Sequence, residues 1–264
     1  AFEILDPALP TAPLVLSSPH SGAVYTPEFL AASRLDPLTL RRSEDAYVDE
    51  LFIGSIAAGA PLLRAHFPRA FLDVNREPYE LDPRMFEGRL PLGANTRSIR
   101  VAGGLGTIAR VVGDAQEIYR DRLPVEEAIR RIDGLNRPYH GALRHLVDRT
   151  WRQFGSVVLL DCHSMPSHNI LTQSARNDEH HRADFIIGDR YGTSCNPLYT
   201  GWLDRELHAR GFVVRRNKPY AGGFITESYG APAMGVHAIQ IEINRSLYMN
   251  EATLERHAGF RTMQ

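Results

Sequence analysis

The segment SVVLLDCHS at residues 156–164 constrains the fold of this chain more than any other feature. A run of aliphatic residues leads into an acid and an imidazole, which is typical of a core strand with polar groups at its exit. Successive side chains of a strand point to opposite faces, so Asp161 and His163 share one face and Cys162 points to the other. The segment therefore predicts a buried strand that holds two polar groups at one edge.

Strands and helices alternate along the rest of the chain. Strands are predicted in the segments APLVLSSPH, PLLRAHF, ADFIIGD, FVVRRN and VHAIQIEINR. Helices are predicted over residues 43–60 with Ser43 as N-cap, in two pieces between Gly113 and about Gly155 that divide near Asn136, and over residues 197–211. This alternation predicts a single α/β domain over residues 1–264, a mixed β-sheet layered with helices.

Composition excludes several classes of protein. The 264 residues carry a formal net charge of -1 without a block of lysine or arginine, so neither nucleic acid nor an acidic membrane surface is an expected partner. No apolar run approaches the roughly 20 residues of a membrane-spanning helix. Two cysteines do not make a disulfide framework, and the first residues do not resemble a signal peptide, so a cytoplasmic location is expected. Chemistry on a small molecule is favoured by elimination.

Polar residues at predicted strand ends are the candidates for function, because groups there and on the adjoining loops converge in α/β sheets. These residues are His20, Asn75 with Arg76, His163 and Glu242. Asp161 can accept a hydrogen bond from the second ring N–H of His163. A metal-bound imidazole commonly has such a partner. The alternative is that each histidine is only a hydrogen-bonded residue of a turn or a strand end.

Two imidazoles and one carboxylate would leave a tetrahedral zinc ion one open position for water. Glu44 and Asp45 are both candidates for the carboxylate, and the helix dipole alone would also favour acids at that point. No HxxE or HxxH spacing surrounds His20, so the residues by themselves leave the choice open.

Several blocks, taken in order, resemble the N-formylglutamate amidohydrolase family. They are SSPHSG, EDAYVDELF, FLDVNREP, GGLGTIARV, LLDCHSMPS, PYAGGFITESYG and IQIEINRSLYM, and they extend from about Leu14 to Met249. The resemblance implies a zinc exopeptidase-like (phosphorylase/hydrolase-like) fold, related to carboxypeptidases and aspartoacylases. It implies hydrolysis of N-formyl-L-glutamate, or a similar N-acyl amino acid, to formate and L-glutamate, as in histidine degradation.

The resemblance also implies roles for individual residues. His20, Asp45 and His163 would hold zinc, with Glu44 as the second choice for the acid. Glu242 would be the general base.

Substrate-binding residues follow from the same blocks and from residue chemistry: Asn75, Arg76, Tyr220, Gly222 and Arg245. The planar fork of Arg76 suits a substrate carboxylate, although Arg76 can equally pair with Asp73 or Glu77. Gly222 and Gly223 can bring backbone N–H groups to a ligand, although a simple hairpin needs the same residues. Glu242 can equally pair with Arg245.

Two other classes of protein compete with this interpretation. A serine-type amidase could use Ser21 or Ser164, although no G-x-S-x-G motif is present. A non-catalytic metal-binding domain would keep the ligands and lack a base, and Glu242 argues against it. The glycine-rich VAGGLGTIARVVGD does not match the dinucleotide-binding pattern. The acyl group, the accepted side chain and the oligomeric state are left open.

Overall fold

A seven-stranded sheet organises the computed structural model, which describes residues 1–167 and 183–264. The strands in chain order are β1 (Phe2–Leu5), β2 (Leu14–Ser18), β3 (Leu62–Ala65), β4 (Phe86–Glu87), β5 (Val111–Val112), β6 (Gln116–Glu117), β7 (Leu123–Pro124), β8 (Val157–Met165), β9 (Phe185–Gly188), β10 (Val214–Arg216) and β11 (Val236–Asn244). The order in the large sheet is β1-β3-β2-β8-β11-β9-β10, and β4 with β7 and β5 with β6 form two small pairs.

The large sheet is mostly parallel. β8 pairs in parallel with both β2 and β11, and β10 with β9, whereas β9 runs antiparallel to β11. The carboxyl ends of β2, β8 and β11 therefore meet at one edge, where loops carry functional groups in α/β proteins. All five strands predicted from the sequence, and the core strand at 156–164, are present.

The described residues also form helices. In chain order they are α1 (Pro27–Ala32), α2 (Pro37–Arg41), α3 (Val48–Leu51), α4 (Ile99–Ala102), α5 (Val125–Arg131), α6 (Arg137–Phe154), α7 (Pro197–Ala209), α8 (Phe224–Tyr229) and α9 (Gly259–Met263). α3 contacts β8, α7 contacts β10, and α8 contacts β8 and β11. Within the described ranges, no helix has the length and apolar character needed to cross a membrane.

The helix predicted over residues 43–60 is wrong. Only α3 and a short 3-10 turn, Ile53–Ser55, lie there, and Tyr47 before α3 has a left-handed backbone with φ of 67°. The hydroxyl of Ser43 donates to the carbonyl of Leu40 instead of capping a helix. The helix begins late because the acids before it make tertiary contacts with Tyr25 and His20.

The helical prediction from Gly113 to Gly155 is confirmed only in part. α5 begins at Val125, since short strands and a 3-10 turn occupy the residues before it. α5 and α6 are joined by a π-helical segment, Ile132–Asn136, close to the predicted division. The glycine-rich segment before β11 leads into α8, so the simple hairpin is wrong there.

The described chain packs as two compact units. One comprises Ala1–Glu3, Pro19–Ala46 and Arg64–Arg144, and the other comprises Ile4–Ser18, Tyr47–Leu63 and His145–Gln264.

The core of the first unit fixes the segment that precedes Asn75. Phe29 packs edge-on against Phe71 with ring centroids 5.2 Å apart, and the Arg131 guanidinium lies 3.8 Å from the Phe71 centroid. Arg131 also donates to the Phe71 carbonyl at 3.0 Å, and a ring nitrogen of His140 lies 2.8 Å from the Val74 carbonyl. These contacts hold the backbone at Phe71 and at Val74, close before Asn75.

One hydrophobic cluster of the second unit lies between β9, β11 and α7. Ile187, Cys195 and Ile239 are fully or almost fully buried, and Leu203 and Leu207 of α7 pack against them. This amphipathic helix was predicted from its periodicity, and Gly211 beyond its end has the positive φ, 87°, expected of a helix-terminating glycine.

Candidate active site

His20 leaves β2 in a tight loop that depends on Gly22. The Val24 N–H donates to the His66 carbonyl at 2.9 Å, and a Cβ on Gly22 would lie 2.2 Å from the Phe67 carbonyl oxygen. Only glycine lets the loop approach the backbone this closely. The loop thereby fixes the buried imidazole of His20, which is 1% exposed.

Two carboxylates flank the His20 ring. Its Nδ1 lies 3.3 Å from Asp45 Oδ2, and its Nε2 lies 2.7 Å from Asp73 Oδ1. The backbone N–H of Asp45 donates to the His20 carbonyl at 3.0 Å, which brings this acid to the ring. The sequence indicates Asp73 only as a partner of Arg76 and gives no sign of its contact with His20.

Asp73 remains ionised in spite of its burial. Burial by itself raises the pKa, but the charges of Arg76, His20 and Arg69 outweigh it and hold the pKa of Asp73 well below its usual range. Arg69 Nη2 lies 2.8 Å from Asp73 Oδ2, and the Asn75 N–H donates to Oδ1 at 2.8 Å. An ionised carboxylate is the partner that orients an imidazole for metal binding.

Glu44 forms hydrogen bonds with residues outside the candidate metal group. Its carboxylate accepts hydrogen bonds from the Tyr25 hydroxyl at 2.7 Å and from Arg41 Nε at 3.2 Å. Burial, and then the Glu44 charge, raise the pKa of Tyr25, so its hydroxyl stays protonated as a donor. Neither Glu44 nor Asp45 lies in the first turn of a helix, so the helix dipole does not explain these acids.

His163 and Asp161 lie on one face of β8, as the strand alternation predicts. His163 Nε2 is 2.9 Å from Asp161 Oδ2, and both side chains are buried. Burial, and then the Asp161 charge, raise the pKa of the Cys162 thiol well above its ordinary value, so the residue between them is a neutral core thiol.

His20, Asp45 and His163 are brought together as a group that can hold a metal ion. All three are buried, and their potential ligand atoms lie within 4.8 Å of one another. Bonds of 2.0–2.2 Å at tetrahedral angles place ligand atoms about 3.3–3.5 Å apart. The 3.3 Å between His20 Nδ1 and Asp45 Oδ2 matches that spacing, and the group contains Asp45, not Glu44.

Glu242 lies beside His163 on the next strand. The two residues are register partners in the parallel β8–β11 pair, and Glu242 is 7% exposed. Gln240 Nε2 donates to Glu242 Oε1 at 2.8 Å, while Gln240 Oε1 accepts from the Gly223 N–H at 2.7 Å. Gln240 was missed in the sequence. Its position two residues before Glu242, on the same strand face, was the available signal.

Arg76 is held in place by its neighbours. Its Nε donates to the Leu105 carbonyl at 2.9 Å, its Nη1 donates to the Asn75 carbonyl at 2.8 Å, and its Nη2 lies 3.6 Å from Asp73 Oδ2. The pairing with Asp73 that the sequence allowed is therefore present. Since a guanidinium has five N–H donors, Nη1 and Nη2 still have hydrogens for a ligand. Asn75 itself is buried.

The other predicted substrate-binding residues have structural contacts. Tyr220 packs against the cluster of Met165, Ala183 and Ile186. Gly222 has a φ of 123°, its carbonyl accepts from Arg190 at 3.3 Å, and a Cβ there would lie 2.4 Å from Thr226 Oγ1. These contacts account for the glycine without a ligand.

Arg245 and Ser164 are linked. Arg245 is buried, and its Nε donates to the Ser164 hydroxyl oxygen at 3.1 Å. Strand alternation places Ser164 on the opposite face of β8 from His163, which does not favour a serine-histidine pair between these neighbours.

The glycine-rich GGLGT segment supports the loop that carries Asn75. The Thr107 carbonyl accepts from the Asp73 N–H, and the Thr107 N–H donates to the Glu80 carbonyl, both at 2.8 Å. A Cβ on Gly106 would lie 2.2 Å from that Glu80 oxygen. The preceding element is the short helix α4, so the strand required for a dinucleotide-binding motif is absent at this place.

The fold and this group of side chains define an α/β protein with a candidate metal centre and an adjacent glutamate. Residues 12–249 match the N-formylglutamate amidohydrolase family. The chain belongs to this family of amidohydrolases, as its sequence blocks predicted.

Individual relatives agree with the family match. An N-formylglutamate deformylase of Pseudomonas putida is 29% identical over 242 residues, covering 90% of this chain and 82% of the relative. One of Pseudomonas aeruginosa is 27% identical over 242 residues, covering 90% and 83%. The crystal structure of N-formylglutamate amidohydrolase from Ralstonia eutropha JMP134 has a TM-score of 0.92 and 38% identity, covering 99% of this chain and 92% of that one. A protein of Agrobacterium tumefaciens, 18% identical with a TM-score of 0.66 over 96% and 88% of the two chains, shares the fold.

Proposed function

We propose that this chain hydrolyses N-formyl-L-glutamate to formate and L-glutamate, with zinc held by His20, Asp45 and His163 and with Glu242 as general base. The observation that carries the proposal is the buried three-residue group, with Glu242 in register beside His163. The names of the deformylases of Pseudomonas supply the substrate.

The donor set fits zinc. Two imidazole nitrogens and one carboxylate oxygen are the usual protein ligands of a catalytic zinc site, which keeps its fourth position open. Bound there, zinc would lower the pKa of a water molecule to about 7 and polarise the amide carbonyl.

Glu242 supplies the proton transfers. Its carboxylate accepts a proton from the water that attacks the formyl carbon, and returns it to the amide nitrogen as the C–N bond breaks. Such transfers are worth about 100- to 10,000-fold in rate. The Gln240 amide fixes one carboxylate oxygen of Glu242 and ties it to the backbone of the glycine-rich segment.

Substrate recognition is assigned to Asn75 and Arg76, with Tyr220, Gly222 and Arg245 as further contacts. The carbonyl oxygens of Asn75 and Leu105 hold Arg76 before any ligand arrives. A guanidinium that is already oriented loses little entropy when it binds a carboxylate.

The decisive experiment compares Glu242→Gln with wild type for zinc content and for turnover of N-formylglutamate. We expect one zinc per chain in both and a kcat at least about 100-fold lower in the variant, because the change removes proton transfer and little volume. His163→Ala should lose both zinc and activity, since two protein ligands make a weak site. Glu206→Gln on the exposed side of α7 is the matched control and should behave as wild type.

An unchanged kcat in Glu242→Gln would reduce this residue to a structural acid, and full zinc content in His163→Ala would refute the ligand set. The diamide of N-formylglutamate tests the carboxylate contact under the same zinc loading. We expect no cleavage of the diamide, whereas equal rates would identify a general amidase.

We further propose that residues 1–264 act as one catalytic domain of zinc exopeptidase type in the cytoplasm. The family match over residues 12–249 and the site at the carboxyl ends of parallel strands support the domain. The two cysteines, both free and buried, fit a reducing compartment.

A further inference from the structure

An arginine-lined cavity at the surface of the first unit contains none of the residues assigned as metal ligands or base. It has a volume of about 130 Å³ and is lined by five arginines: Arg34, Arg84, Arg110, Arg120 and Arg122. This volume is several times the roughly 30 Å³ that one water molecule takes in the liquid. The cavity is therefore large enough for a small ion.

Acidic residues neutralise only part of this positive charge. Asp82 is 1% exposed and binds Arg84 and Arg110, with closest distances of 2.8 and 2.9 Å. Glu117 lies 3.2 Å from Arg110 and 3.4 Å from Arg34. Asp121 is the third acid. Among the side chains that the structure describes here, two positive charges remain in excess.

Arg120 and Arg122 form no ion pair with an acid among the described residues. In the described part of the chain, both donate only to backbone carbonyls: Arg120 to Ser33 at 3.0 Å, and Arg122 to Phe86 and to Pro83. Both residues are exposed to solvent, and these bonds orient their guanidiniums without cancelling their charge. Each keeps further N–H donors, because a guanidinium has five.

We propose that this cavity is a binding site for a compact, doubly charged oxyanion of the phosphate type. Several guanidiniums around a small space match the tetrahedral oxygens of such an ion, as in phosphate recognition generally. The carbonyl bonds of Arg120 and Arg122 reduce the entropy lost on binding.

Calorimetric titration with inorganic phosphate, at constant ionic strength set with chloride, tests the site. We expect one saturable event per chain in wild type, and a Kd at least about tenfold weaker in both Arg120→Gln and Arg122→Gln. Arg205→Gln removes one positive charge from an exposed position on α7 and serves as the control. This variant should bind phosphate with the wild-type Kd. Sulfate should compete with phosphate, whereas chloride should not.

Two further arms separate the site from the proposed metal group and from misfolding. Binding that persists after chelation with EDTA supports the arginine cavity, and complete loss on chelation overturns it. Arg122→Lys keeps the positive charge but loses the planar set of guanidinium N–H donors. This variant should bind phosphate more weakly than wild type, and its melting temperature should equal that of wild type. Phosphate binding of equal strength in wild type and both glutamine variants, or none in wild type, would refute the site.

Discussion

Each imidazole of the candidate metal group is paired with a carboxylate outside that group: His20 with Asp73 and His163 with Asp161. Such a partner fixes the ring orientation and raises the basicity of the nitrogen that binds the metal. Asp73 is itself held by Arg69, so the orientation of His20 is set through two successive contacts.

We predict that Asp73→Asn weakens zinc binding by about 10- to 100-fold, because an amide orients His20 without a charge. The measurement is competition for zinc with a calibrated chelator. Asp82→Asn is the matched control, since Asp82 is also buried between two arginines but has no contact with His20 among the described residues. Equal zinc affinity in Asp73→Asn and wild type would show that this carboxylate does not act on the metal site.

The loop after β2 illustrates how a short element depends on one residue. Gly22 faces the backbone of residues 66 and 67, and a Cβ added to it would lie 2.2 Å from the Phe67 oxygen. A methyl group there must displace one of the two backbones, which a close-packed interior resists.

Gly22→Ala should therefore lower the free energy of unfolding by about 1–3 kcal/mol, the usual cost of overpacking. Urea unfolding followed by circular dichroism measures it. Gly54→Ala serves as the control, because a Cβ on Gly54 has nothing within 4 Å. If both substitutions have the same small effect, the close approach of the loop is not a constraint.

At the scale of an element, the helix predicted at 43–60 shows where periodicity misleads. The segment has the acids and apolar spacing of a helix start, but Glu44 binds Tyr25 and Arg41 while the Asp45 backbone binds His20. Those contacts outweigh local propensity, which is worth less than about 1 kcal/mol per residue.

At the scale of the whole molecule, buried ionised carboxylates connect stability to pH. Burial alone raises the pKa of Asp189, but bonds from Asn217, the Gly192 N–H and Arg216 outweigh it and lower the pKa. The pKa of Asp82 is lowered in the same way, against burial, by Arg84 and Arg110. A lowered pKa in the folded state means that the stabilisation is present above the unfolded value of about 3.9 and is lost as pH falls through the folded value.

We therefore predict that the free energy of unfolding falls steeply below about pH 4. Asp189→Asn should cost about 2 kcal/mol at pH 7 and progressively less as the pH falls below about 3.9, because the unfolded wild-type carboxylate then binds a proton more readily than the folded one. Urea titrations at a series of pH values measure the difference. For Asp148→Asn, an exposed substitution on α6, the difference in unfolding free energy from wild type should not change with pH. If the cost of Asp189→Asn is also independent of pH, the ionised Asp189 carboxylate does not connect stability to pH.

The sequence by itself determined the strands and the faces of their residues. Backbone alternation alone places Asp161 and His163 on one side of β8, and the ordered blocks between Leu14 and Met249 identify the family. Strand alternation depends on neighbouring residues, and the family blocks depend on their order along the chain. Neither requires knowledge of the tertiary packing.

Only the tertiary structure placed Asp45, and not Glu44, in the group that can hold a metal ion. Only the tertiary structure revealed the contacts of Asp73 and Gln240 and the arginine-lined cavity. The contacts of His20 with Asp45 and Asp73 join residues 25 and 53 positions apart. Such contacts depend on how loops dock, and docking is set by close backbone approaches, as at Gly22, and by charges that meet only after folding. Local periodicity carries no information about either, because it is a property of neighbouring residues.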